Sequence, residues 1–310
     1  MNFHITGLVP AVFTPMHANG DINLELIPAL TDLLIAEGAS ALYVCGSTGE
    51  GPSLTREERK AVAEAYVQAT AGRVPVVIQV GHNSIRESQL LAAHAQAIGA
   101  DVISAVPPSY FKASSLDNLM DILGDILNAA PDLPFYYYHI PRLSSADIDV
   151  VKLLEMSADR LPTLVGVKYS NFTVFEMQEC LSVADGRYNM LFGSDEMLLS
   201  GLVAGAHGAV GSTYNFAMPL YKRVIAAFER GDIAEAQREQ ALAVRMVRRT
   251  LPFGNPALKS MMKLIGLDCG PARLPQIALT PDKENALRQS MEEIGFFDWG
   301  HPAIESELQG

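Results

Sequence analysis

Lys168 stands near the end of an apolar, β-branched run, TLVGVKYS, from Thr163 to Ser170. The run reads as a short buried strand, and a lysine is expensive there. Burial disfavours the ammonium, and a charged lysine is almost never fully buried without a partner. Either Lys168 snorkels to water, or it does chemistry that needs an uncharged amine. A free amine held out of water attacks carbonyl carbons. A phenol within reach, offered by Tyr138 in the run LPFYYYHIP, can carry protons while a carbinolamine forms and a C–C bond later breaks.

Two further stretches carry candidate chemistry. GSTGE, Gly46 to Glu50, sets two glycines around two hydroxyl residues. After a strand and before a helix, it can turn backbone N–H groups toward an anion. It can equally be a tight turn that only connects the two. Asp195-Glu196, in FGSDE, reads either as solvated surface or as a pair of acceptors for substrate hydroxyls. Negative charge there argues against a phosphate on that side. The seven histidines show no H-x-H or H-E-x-x-H spacing and read as structural or exposed, with no metal site. No Walker loop and no G-x-G-x-x-G opening a helix is found.

Short apolar runs that alternate with amphipathic ones must position these residues. The strand candidates are GLVPAVFTP, ALYVCGS, VPVVIQVG, DVISAVPP, LPFYYYHIP, TLVGVKYS, YNMLFGS and HGAVGSTY. Helical patterns such as LELIPALTDLLIAEG, TREERKAVAEAYVQATAG and TVFEMQECLSVA lie between them. Thr55, three residues before Glu58, is a capping signal. Most strand starts lie roughly 25 to 35 residues apart, the period of a βα unit. Eight units without a composition break predict an α/β fold, a (β/α)8 TIM barrel. A doubly wound open sheet is the weaker option, because no dinucleotide fingerprint follows the first strand. The barrel is expected over residues 1–230. A helical extension, 231–310, is expected to pack on it within a single structural unit.

In a barrel the site lies where the strands end and the βα loops begin. The strand ends gather GSTGE, Tyr110, YYYHIP, Lys168, GSDE and Gly211-Ser-Thr-Tyr214. Alternation places Gly166, Lys168 and Ser170 on one side of the sixth strand and Val165, Val167 and Tyr169 on the other. The bulky side suits packing against helices, and the side with Gly166 suits a crowded axis. Lys168 is therefore predicted to point inward. His139 alternates away from Tyr138 and reads as structural.

The chain has 310 residues, 49% of them hydrophobic, a net charge of −12 and a pI near 5.0. That balance argues against nucleic acid or an anionic membrane surface as a partner. Any anionic substrate must be held locally. Three cysteines, Cys45, Cys180 and Cys269, form no disulfide or metal pattern, which fits a reducing cytoplasm. The N-terminus lacks a basic region followed by a long apolar one, so no signal peptide is expected. No run reaches the ~18 apolar residues of a membrane span.

In this order, GSTGE, YYYHIP, GVKYS, FGSDE and GAVGSTYN resemble the pyruvate-dependent class I aldolases. These include the dihydrodipicolinate synthases and the N-acetylneuraminate lyases. The likeness runs from GLVPAVFTP to GPARLP, and FYYYHIP, FGSDE and GSTYN are written as in the sialic acid lyase branch. The resemblance implies that Lys168 forms a Schiff base with a keto carbon and that Tyr138 transfers protons. It implies that Ser47 and Thr48 hold the substrate carboxylate. Gly193, Asp195, Glu196 and Ser212 would contact the hydroxylated chain, Ser170 would line the site, and Tyr110 would lie near the site and a subunit interface. It further implies cleavage of N-acetylneuraminate to pyruvate and N-acetylmannosamine, a homotetramer, and no cofactor or metal.

The synthases carry an arginine two residues after the proline of the tyrosine motif, where this chain has Leu143. Arg142, directly after Pro141, departs from the small residue more usual in the lyases. It leaves open a different acidic aldehyde, in a synthase or a 2-keto-3-deoxy sugar acid aldolase or dehydratase. A non-catalytic keto-acid binder on the same barrel is a further option, one that the intact Lys168 and Tyr138 disfavour. A pyridoxal phosphate enzyme would also use a lysine but would need a phosphate cup.

Overall fold

Eight strands form where the apolar runs predict them: β1 (Gly7–Pro10), β2 (Leu42–Val44), β3 (Val76–Gln79), β4 (Val102–Ala105), β5 (Phe135–His139), β6 (Leu164–Tyr169), β7 (Asn189–Phe192) and β8 (Gly208–Gly211). The structure, a computed structural model, describes residues 3–301. Residues 1 and 2 of the N-terminal stretch, and 302–310 of the expected extension, lie outside the described residues. All pairings between the strands are parallel, in the order β1-β8-β7-β6-β5-β4-β3-β2. A parallel bridge from Ala11 to Tyr43 joins β1 to β2 and closes the ring. This is the predicted (β/α)8 barrel. Its strands read as unbroken apolar runs because both faces are covered.

The covering happens in two layers. Val9, Ala11, Tyr43, Val77, Val102, Tyr136, Tyr138, Leu191 and Val210 fill the inside of the barrel. A larger shell of Leu, Ile, Met and aromatic side chains lies between strands and helices. The helix Arg56–Thr70 starts as predicted, with a capping box in which Thr55 and Glu58 satisfy each other's backbone N–H. His139 is buried in the outer layer, stacked on Tyr169 at 5.1 Å between ring centroids. Burial pushes its pKa down to about 4, so it sits there as a neutral structural ring.

Simple alternation fails at one residue. Val165 was expected on the outer side of β6, yet it packs inside the barrel. Phe135 pairs with Leu164, but the next residue, Tyr136, pairs with Gly166. Val165 is thus an extra residue on β6, a bulge that changes the parity there. Beyond it the pattern resumes, with Val167 and Tyr169 outside and Gly166 beside Tyr136. A Cβ on Gly166 would sit 2.7 Å from that ring and 2.0 Å from the Asn189 carbonyl oxygen, so only glycine fits.

The last barrel helix, Tyr214–Glu229, is followed by helices Ile233–Thr250, Pro256–Leu264 and Pro281–Glu293. Two of these reach the strand ends. Gln240 accepts a hydrogen bond from the Leu199 amide at 2.9 Å and donates to the Asp195 carbonyl at 3.3 Å. Pro256–Leu264 and the segment after it form a wall of the cavity described next.

Candidate active site

The strands' C-terminal ends open into a cavity of about 530 Å³. Lys168 lies on its floor and is 4% exposed. The register of β5 on β6 pairs Tyr138 directly with Lys168, so the sheet itself delivers phenol to amine. The lysine nitrogen lies 4.0 Å from the Tyr138 ring centroid and 3.9 Å from that of Tyr43. Among the described residues it has no carboxylate in ion-pair contact. Burial pulls the Lys168 pKa below that of an ordinary lysine, against smaller opposing effects of Tyr138 and Asp195. The snorkelling alternative is thereby removed: the amine is buried and faces the cavity.

Ser47 and Thr48 line one side. GSTGE is a tight turn and a cavity wall at once. Its backbone closes with Glu50 N–H donating to Ser47 at 3.1 Å and Gly51 N–H donating to Gly46 at 3.0 Å. The Thr48 and Ser212 hydroxyls meet at 2.6 Å, linking the ends of β2 and β8. Ser170 and Gly193 sit side by side in the cavity lining, and a Cβ on Gly193 would strike the Ser170 hydroxyl at 2.0 Å.

Asp195 and Glu196 differ although they are adjacent. Asp195 is buried. One of its oxygens accepts from the Thr213 amide at 2.8 Å and the Thr213 hydroxyl at 2.7 Å. Burial raises its pKa to about 6, against the lowering effect of the two Thr213 bonds. It is not solvated surface. Glu196 is half-buried and lines the cavity. Gly211 makes room for Asp195, since a Cβ there would lie 1.9 Å from its other oxygen.

Tyr110 is the one predicted site residue that does not line this cavity. It is 79% exposed and packs edge-on against the equally exposed Phe111. Within one chain it stands apart from Lys168.

Two features, Tyr43 and the Glu50–Lys259–Arg273 set, and the residue Phe172 beside the already noted Arg142 escaped the motif-based reading. Tyr43, at the lysine nitrogen, sits in ALYVCGS on the same side as Ala41; alternation along that run was the available signal. Glu50 and Lys259 form a buried ion pair at 2.7 Å in the cavity wall. The signal was a second lysine within the apolar helix NPALKSMMKLIG. Glu50 also accepts from the Arg273 amide at 2.7 Å, and the Arg273 guanidinium forks onto Glu58 with two bonds of 2.8 Å. Arg142 and Phe172 both line the cavity, the guanidinium 5.9 Å from the ring centroid. Among the described residues, no group of three His, Cys, Asp or Glu side chains could hold a metal ion.

Comparison with known proteins bears on this geometry. Residues 4–294 match the model of the dihydrodipicolinate synthetase family. The N-acetylneuraminate lyase of Xenopus tropicalis is 40% identical over 296 residues, which is 94% of this chain and 97% of the relative. The solved N-acetylneuraminate lyase (sialic acid aldolase) of Aliivibrio salmonicida superposes with a TM-score of 0.93 at 34% identity, covering 96% of this chain and all of that one. That of Proteus mirabilis does so with 0.92 at 36% identity, over 95% of this chain and all of that one. With a buried lysine and a tyrosine at the ends of adjacent barrel strands, and a family match spanning nearly its whole length, this chain belongs to the dihydrodipicolinate synthetase family.

Proposed function

We propose that this protein is a Schiff-base aldolase that cleaves N-acetylneuraminate to pyruvate and N-acetylmannosamine. One observation carries the mechanism: Lys168 is buried at the cavity floor beside Tyr138 without a carboxylate in ion-pair contact among the described residues. The relatives named above are lyases of this kind. In this reading the Lys168 amine adds to the C2 keto carbon, the Tyr138 phenol gives its proton to the resulting hydroxyl, and that hydroxyl leaves as water, so a cationic iminium and a tyrosinate remain. The Tyr138 tyrosinate then takes the proton of the C4 hydroxyl as the C3–C4 bond breaks. The bond's electrons flow into the iminium and give an enamine, while C4 leaves as an aldehyde. Protonation at C3 and hydrolysis then free pyruvate and the amine.

Ser47 and Thr48 hold the carboxylate. Glu196 and the backbone around Gly193 face the hydroxylated chain, and Asp195 acts beside them with one oxygen already held by Thr213. Ser212 and Ser170 complete the wall. The protein is further read as a cytoplasmic homotetramer. The three buried, unpaired cysteines and the exposed Tyr110–Phe111 pair support that, since large apolar surface usually marks an interface. Among the described residues, no helix is long and apolar enough to cross a membrane.

The test is borohydride reduction in the presence of pyruvate, with peptide mapping. An adduct on Lys168 is expected, and an adduct elsewhere or none refutes the mechanism. Arg142 in the cavity lining favours a second reading, an acidic acceptor aldehyde. A panel of N-acetylneuraminate, N-glycolylneuraminate and 2-keto-3-deoxy sugar acids, read by pyruvate release, separates the two.

A further inference from the structure

We infer that Tyr43 is a catalytic residue acting through the face of its ring, which stabilises the positive charge that forms on the Lys168 nitrogen when the iminium is made. The inference rests on the Schiff-base reading above. When the amine and the keto carbon condense, Tyr138 gives a proton to the carbinolamine hydroxyl, which leaves as water; a C–N double bond forms, and the nitrogen keeps one hydrogen and becomes cationic. That charge arises at a site only 4% exposed, so bulk water solvates it poorly. Asp195 acts on this nitrogen more weakly than Tyr138 does, and one of its oxygens is already held by two hydrogen bonds from Thr213. What remains is the pair of ring faces, Tyr43 at 3.9 Å and Tyr138 at 4.0 Å. The negative face of an aromatic ring attracts a cation most strongly where water is excluded.

The two rings divide the work. Tyr138 lines the cavity and serves as the proton carrier of the reading above. Tyr43 does not line it, and its hydroxyl is tied down. That hydroxyl donates to Ser104 Oγ at 3.0 Å, and Ser104 donates onward to the Tyr136 carbonyl at 2.9 Å. Burial also pushes its pKa well above that of a free phenol, so it stays neutral and takes no proton. The tether fixes the plane of the ring against Lys168. The same ring meets Tyr138 edge-on, 5.8 Å between centroids at 76°, and so holds the proton carrier in place as well.

The experiment compares Tyr43→Phe, which keeps the ring, with Tyr43→Leu and Tyr43→Met, which remove it. Iminium yield at saturating pyruvate is read by borohydride trapping, and the acid limb of the pH–rate profile is recorded alongside. Tyr43→Phe is expected within about threefold of wild type. The ringless variants should lose about tenfold or more in iminium yield. Their acid limb should move to lower pH, because the ring also favours the ammonium over the amine. A packing role alone lowers stability without that shift. Wild-type yield and an unshifted limb in a folded Tyr43→Met overturn the inference. So does a tenfold loss in Tyr43→Phe, the variant that disturbs packing least, because the hydroxyl would then be the active part. If wild-type protein gives no adduct on Lys168, the Schiff-base reading falls and this inference with it. If wild type traps and Tyr43→Met matches it, only the role of Tyr43 falls.

Discussion

Lys168 and Lys259 line the same cavity and are equally buried, each 4% exposed, yet they are solvated in opposite ways. Lys259 meets Glu50 at 2.7 Å and donates to the Pro271 carbonyl at 3.0 Å. Lys168 meets two aromatic faces and, among the described residues, no carboxylate in ion-pair contact. Burial penalises an ammonium in both places. At Lys259 the penalty is offset by an opposite charge, and the residue becomes a latch between the loop after β2 and the helix Pro256–Leu264. At Lys168 it is left largely uncompensated, and the amine loses its proton more easily. Burial alone thus says nothing about role. What decides it is whether a carboxylate shares the site.

The largest effect that tests this contrast is catalytic. Lys168→Ala should abolish turnover, a loss of at least about 10⁴-fold, because no other group can form the iminium. Its unfolding midpoint in urea should stay near wild type, since no buried carboxylate loses its partner. Residual turnover within a factor of ten of wild type would break the assignment.

Lys259→Ala should do the reverse. It strands a buried Glu50, and breaking such a pair from one side costs about 3–5 kcal/mol. Urea unfolding should show that loss in full, while any folded fraction still forms the pyruvate adduct on Lys168. Replacing both partners, Lys259→Met with Glu50→Leu, should recover part of the stability. If Lys259→Ala unfolds no more readily than Lys168→Ala, the two lysines are not different in kind.

Much of this was legible before the structure. Eight apolar runs gave eight strands, because a parallel barrel buries both strand faces and so writes itself as hydrophobic blocks. Lys168 and Tyr138 were legible from their blocks and motifs. The failures have local causes. The bulge at Val165 depends on how two strands register, and no period-2 pattern records it. Tyr43 looked like ordinary core because its only chemistry is its ring. Glu50 stands more than two hundred residues from both Lys259 and Arg273, and a long-range ion pair leaves no spacing to read. Tyr110, chosen by resemblance, lies outside the cavity of a single chain, where only a neighbouring subunit could bring it to a site.

Glu196 sharpens the lysine side of the contrast, with a smaller effect. It is half-buried on the wall, whereas Asp195 is already bonded to Thr213. Losing an acceptor of substrate hydroxyls in such a place costs about 1–3 kcal/mol. Glu196→Ala should therefore lower kcat/KM for N-acetylneuraminate by the equivalent factor and leave pyruvate trapping on Lys168 unchanged. Loss of both together would mean structural damage, and loss of neither would mean idle surface.

The smallest effect tests whether the latch is electrostatic beyond Lys259. Hydrogen bonds from Arg273, helped by those from Thr55, hold the Glu58 pKa down to about 2, from an ordinary value near 4.5. A carboxylate depressed in the folded state contributes stability that is complete above the unfolded value. That stability is lost as pH falls from about 4.5 toward 2. Asp195, raised to about 6 from 3.8, works with the opposite sign. Its contribution is complete below 3.8 and is lost as pH rises through about 6, so it cannot mimic an acid-side loss. The Glu58–Arg273 side chains are about a quarter exposed, and solvent screening keeps such a pair to about 1 kcal/mol or less. Thermal midpoints of wild type and Glu58→Gln, followed from pH 6 downward, should converge as the pH falls below about 4.5, the wild type starting slightly higher. Glutamine keeps the acceptor for the helix cap and removes only the charge. Parallel curves across that range would show that Arg273 holds the wall by shape rather than by charge.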